Sequence, residues 1–149
     1  MDLEQQIMND IKAAMREKNK EKLEALRAIK SAILLAKTEK GRSSNIDTES
    51  ELKLLQKLVK QRNDSAEIFR EQNRNDLAEK EKFEVSIISN YLPAQLSESD
   101  IEIVIQRIIE KTNVSSMADM GKVMGLASKE LSGKADGKTI AGIAKKLLS

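Results

Sequence analysis

The sequence contains no cysteine and no histidine. Disulfides, thiolate nucleophiles, Cys/His zinc sites and acid–base catalysis through imidazole are therefore excluded. Aromatic side chains are nearly missing too, with two phenylalanines, one tyrosine and no tryptophan. Few rings exist on which unstacked bases could lie, so single-stranded nucleic acid is an unfavourable target. Neither sign of charge is in large excess: 26 basic and 24 acidic residues leave +2, and polyanion binding would have to rest on local clusters. No run approaches the roughly 20 apolar residues of a membrane span, and the opening MDLEQQIMND has no basic segment followed by an apolar one. The expectation from these absences is a soluble, cytoplasmic protein without cofactor, and the lack of cysteine fits a reducing compartment.

What is present favours helix. One proline and six glycines stand in a chain rich in Leu, Ile, Ala, Lys and Glu. Leu3, Ile7, Ile11, Ala14 and Met15 step by three and four, as do Leu23, Leu26, Ala28, Ile29, Ile33 and Leu34, which predicts two amphipathic helices with a break near Asn19. After Gly41 a polar connector, RSSNIDTES, leads to a third helix that Asp47 or Thr48 caps and that carries Leu52, Leu55, Leu58, Val59 and Ile68. EQNRND interrupts the pattern, and a fourth helix runs from about Asp76 to Tyr91, where Pro93 ends it.

Pro93 marks a domain boundary, giving residues 1–93 and 94–149. IEIVIQRIIE alternates like a strand, yet Ile101, Val104, Ile105, Ile108 and Ile109 form a helical stripe and a lone strand would have no partner; helix is the better reading, opened by Ser97 and Asp100. Ser116 with Asp119 should cap the next helix, Gly133 should close it, and Asp136 should cap the last. The predicted fold is all-α, with about four long N-terminal helices and a small C-terminal domain of about three.

SGKADGKT, residues 132–139, looks at first like a nucleotide-triphosphate loop. That loop requires G-x-x-x-x-G-K-[ST] after a strand. Here Gly133 lies one residue too close to the second glycine and the segment joins two helices. Ser50 and Lys53 match an S-x-x-K nucleophile pattern, but with 14 serines and 19 lysines in 149 residues, about two such pairs arise by chance. Glu79, Glu81 and Glu84 read as a solvated helix face, since carboxylate metal sites in helical bundles also use histidine. Met117, Met120 and Met124 read as core filling, and Tyr91 as a packed ring with a satisfied hydroxyl.

The charge balance is uneven along the chain. From Lys111 onward seven lysines (111, 122, 129, 134, 138, 145 and 146) face three acids, a local +4. Lys122, Lys129, Lys134 and Lys138 flank a glycine-bearing turn, and ammonium groups beside a helix N-terminus suit a polyphosphate backbone. Arg62 and Arg74 lie in a second basic segment where nearby acids offer ion-pair partners. From these residues alone, nucleic-acid binding and a protein-interaction role stand level.

Four blocks in order, QRNDSAEIFREQNRNDLAEKEKFE, NYLPAQLSESD, DMGKVMG and GKADGKTI, resemble the GatB/YqeY family. The resemblance runs from LEALRAIKSAI to the C-terminus. It implies an all-helical chain divided just after YLP, related to the tail of the B subunit of glutamine-dependent aspartyl/glutamyl-tRNA amidotransferase, where the module contacts the tRNA body and carries no active site. It further implies that Lys122, Lys134 and Lys138 contact phosphates, that Gly121, Gly125, Gly133 and Gly137 admit close approach, that Asp136 caps the final helix, and that Arg62 and Arg74 belong to matching blocks. The expected partner is then folded tRNA, with aminoacyl-tRNA synthetase or amidotransferase subunits as further partners and neither DNA nor membrane. Alternatives are an accessory of a carbon–nitrogen ligase using glutamine as amido donor, and a helical protein adaptor.

Overall fold

The structure, a computed structural model, describes residues 2–39 and 46–149. Gly41 and the RSSN part of the polar connector lie outside the described residues. Among the described residues there are seven α-helices and no strand, so the all-α expectation holds. The chain separates into two compact units, Met1–Leu92 and Pro93–Ser149.

The first unit contains α1 (Leu3–Glu17), α2 (Lys20–Glu39), α3 (Thr48–Glu71) and α4 (Asn75–Ser89). Asp2 and Asp47 open α1 and α3 by accepting from the N–H groups of Gln5 at 2.8 Å and Ser50 at 2.7 Å. α1 stops at Lys18, which turns into the left-handed region at φ 57°. Asn19 then caps α2 by accepting from the Lys22 N–H at 3.1 Å. α1 packs along α2, α3 along α4, and α2 also touches both α3 and α4. Ile7, Leu26, Ile29, Leu55 and Ile88 are fully buried where these faces meet.

The predicted stripes were wider than the contacts that cover them. Met15, Leu34 and Ile68, placed inward by periodicity, are about half exposed, at 55%, 46% and 52%. Periodicity says which residues share a face, whereas the neighbouring helix decides how much of that face is covered. Glu84 departs the other way: expected in solvent, it is 8% exposed and takes a hydrogen bond from the Arg62 Nε at 3.4 Å. Its neighbour Glu81 has its carboxyl raised above the ordinary range, first by burial and then by Glu84. Tyr91 packs against the core of this unit and its hydroxyl donates to Asp10; burial, then that carboxylate, raises the phenol's pKa.

The second unit holds α5 (Glu98–Thr112), α6 (Met120–Glu130) and α7 (Gly137–Leu148), with a short 3-10 turn at Met117–Asp119. IEIVIQRIIE is helical: Ile101, Ile105 and Ile108 are buried against Val123, Ala127, Leu131, Ile140 and Ala144, while Ile103 is 66% exposed. Ser97 caps α5 through the Asp100 N–H at 3.2 Å. The expected capping of α6 by Ser116 and Asp119 does not occur, because neither side chain makes a cap hydrogen bond. The chain instead winds through the 3-10 turn into α6, and backbone carbonyls take the place of a side-chain cap. Met117, expected in the core, is 42% exposed on that turn.

Candidate functional site

The site begins with the turn between α6 and α7. Gly133 sits at φ 76°, a conformation that a side chain resists, and it turns the chain out of α6. The turn is held from outside. The Gln95 Nε2 donates to the Gly133 carbonyl at 2.7 Å, and the Leu96 N–H donates to the Lys134 carbonyl at 3.0 Å. Both backbone groups next to the Lys134 side chain are thereby fixed, since its own N–H donates to the Leu131 carbonyl at 2.9 Å. Asp136 then opens α7 by accepting from the Thr139 N–H at 2.7 Å. Its carboxylate occupies the helix end, so the lysines and not the α7 dipole carry any attraction for anions.

α6 presents a second arrangement. Each residue of a helix turns by about 100°, which places Gly121, Lys122, Gly125 and Lys129 on the side away from the buried Val123 and Ala127, with Leu126 at the edge between the two faces. All five are exposed. Lys122 and Lys129 are two turns apart on one line, separated by about 10 Å along the axis. A side chain added at Gly121, Gly125 or Gly137 would meet nothing within 4 Å. The chain's own packing therefore gives no reason for glycine at these positions, although a glycine in a helix interior, as Gly125 is, costs close to 1 kcal/mol against alanine.

Between α5 and this side of α6 runs an open groove of about 600 Å³. Its walls bring together Lys111, Lys122 and Lys129 around Leu126, Ile108 and Thr112. The carboxylate on the wall, Glu130, is engaged by Arg107. Sequence reasoning counted Lys111 in the basic excess but did not place it in the site. Lys134 and Lys138 are exposed on the turn and in the first turn of α7 and do not line the groove.

Among the described residues, none of the seven lysines from Lys111 onward is in an ion pair, and all seven are exposed. The two arginines singled out from the sequence behave differently. Arg62 is partly buried in the first unit, donating from Nη1 to the Leu58 carbonyl at 3.1 Å as well as to Glu84. Arg74 holds Asp76 through two hydrogen bonds of 3.2 Å, and that contact lowers the Asp76 carboxyl below its ordinary range.

An uninterrupted match to a known family covers this whole arrangement: the pattern described as "Yqey-like protein" spans residues 4–148. The chain belongs to that family. Curated relatives of this Yqey-like chain share one name, "Altered inheritance of mitochondria protein 41, mitochondrial". The protein of that name from Pyrenophora tritici-repentis is 36% identical over 131 residues, covering 85% of this chain and 69% of the relative. That from Clavispora lusitaniae is 43% identical over 95 residues, covering 63% of this chain and 54% of the relative. A third, from Lachancea thermotolerans, is 32% identical over 113 residues, covering 74% of this chain and 59% of the relative. The chain thus spans roughly half to two thirds of the length of the relatives it matches.

These names correct the cytoplasmic expectation, since they point to a mitochondrial location. The error has a plain source. The expectation rested on the composition of the opening residues and on the lack of a long apolar run, and neither distinguishes the cytosol from the interior of an organelle.

Proposed function

We propose that this chain is a non-catalytic module that holds folded RNA, tRNA above all, by its phosphate backbone through the second unit. The observation that carries this reading is the set of exposed C-terminal lysines that are in no ion pair among the described residues. Cations left without carboxylate partners keep their full attraction for an external polyanion. Lys122, Lys129, Lys134 and Lys138 form the contact, with Lys111 beside them at the groove. Gly121, Gly125 and Gly137 leave room for a phosphate ridge to approach the backbone. Arg62 and Arg74 are left out, because Glu84 and Asp76 already hold them.

The direct test is recovery of RNA from an extract on the purified chain. Enrichment of tRNA, lost on nuclease treatment, is the expected result; recovered proteins that persist after nuclease, with no RNA, would favour an adaptor. A second reading, an accessory of a glutamine-dependent tRNA amidotransferase, draws on family resemblance alone. Reconstituted transamidation that runs at one rate with and without the chain would remove it.

The glycines give a prediction with two opposite signs. Gly121→Ala with Gly125→Ala should raise the stability of the second unit by about 1–2 kcal/mol, because alanine is the better helix former. The same pair should weaken RNA binding by crowding the approach. Denaturant unfolding and a binding titration on one preparation would read both. A variant more stable and equally good at binding would show that the glycines play no part in the contact.

A further inference from the structure

We infer that the groove between α5 and α6 receives one unstacked nucleotide of the bound RNA, its base lying on Leu126 and its flanking phosphates drawn to Lys111, Lys122 and Lys129. This rests on the RNA reading above and adds to it a preference among folded RNAs. The groove has a volume of about 600 Å³, within the roughly 300–1,000 Å³ range of pockets that take small ligands. Leu126 is a large apolar side chain on its wall, left 43% exposed. A continuous duplex offers such a leucine only phosphates and sugars. A base turned out of its stack offers an apolar face to cover it, and extruded bases are held between apolar or aromatic side chains.

The rim agrees in charge. Three lysines line the groove, and Arg107 engages the lining carboxylate of Glu130. Thr112 donates its hydroxyl to the Ile108 carbonyl at 2.7 Å, leaving its oxygen free to accept from a base edge. The lack of aromatic platforms argues against a run of single-stranded bases but not against one base in a formed groove. An acidic amphipathic helix of a protein partner would meet the same three lysines. The lysines outside the groove, Lys134, Lys138, Lys145 and Lys146, favour a polyanion that extends beyond it.

The test uses the full chain and two RNAs: a blunt, fully paired duplex, and the same duplex carrying one unpaired 2-aminopurine nucleotide. The duplex with the unpaired nucleotide should bind about tenfold tighter, the worth of one modest apolar burial, and the 2-aminopurine emission should change on binding. Leu126→Ala should remove the preference while leaving affinity for the paired duplex unaltered. Leu126→Trp should widen the preference and quench the fluorophore, an outcome that loss of folding cannot mimic. Equal affinity of the unaltered chain for both RNAs would overturn the groove assignment and leave the RNA reading standing. Failure to bind either would overturn both and leave the groove to an acidic protein segment.

Discussion

Replacing Lys122, Lys129 and Lys134 together with alanine should lower tRNA affinity about 500-fold at 0.1 M salt. The size follows from counterion release: each phosphate contact contributes close to 0.9 of a decade in affinity per decade of salt below 1 M, so three contacts amount to about 2.7 decades at 0.1 M. The loss should be similar for different tRNAs, because phosphate contacts carry no sequence information. Folding should be nearly unaffected. All three side chains are exposed, and among the described residues none is ion-paired, so their removal falls within the roughly 0.5 kcal/mol typical of surface changes. Binding measured beside thermal unfolding separates the two effects. A tenfold loss or less would mean that these lysines lie away from the RNA.

Arg62→Ala should have the reverse profile. It leaves the carboxylate of Glu84, 8% exposed, without its charged partner. Stranding a charge at such a site costs about 3 kcal/mol, a large fraction of the stability of a small helical unit. Replacing Arg62 and Glu84 together by methionine should recover most of the loss, since an apolar pair needs no compensating charge. RNA affinity of the folded Arg62→Ala variant should stay within about threefold, half a decade being well below the effect of one lost phosphate contact at 0.1 M salt. Urea unfolding of the single and double variants checks the first claim. An Arg62→Ala protein of unchanged stability and much reduced binding would move Arg62 back into the interface.

These two predictions mark how far the sequence could be read. Helix identity followed from spacing, and Asp47, Ser97 and Asp136 cap where a short polar side chain precedes an apolar period. α5 was legible despite its β-branched residues because the i, i+3, i+4 stripe outweighed local propensity. Ser116 and Asp119 misled because the same residue types also begin a 3-10 turn, and only the path of the chain decides between the two.

For the site, the excess of lysine was visible and its state of pairing was not. Arg62 and Lys122 look alike in a sequence. One meets a buried carboxylate 22 positions away, whereas the other meets solvent. Lys111 and Lys129 belong to different helices and share a groove only once α5 and α6 have packed. Leu126 was passed over for a related reason: it stands outside the helical stripes read from spacing, and the groove beside it exists only through the packing of α5 on α6.

The most direct measurement is tRNA affinity of the unaltered chain across a series of salt concentrations. Four lysines opposing four phosphates predict a slope of log affinity against log salt between about −3 and −4, dropping to about −1 in the triple alanine variant. A slope near zero, or one that the three substitutions leave unchanged, would contradict the account.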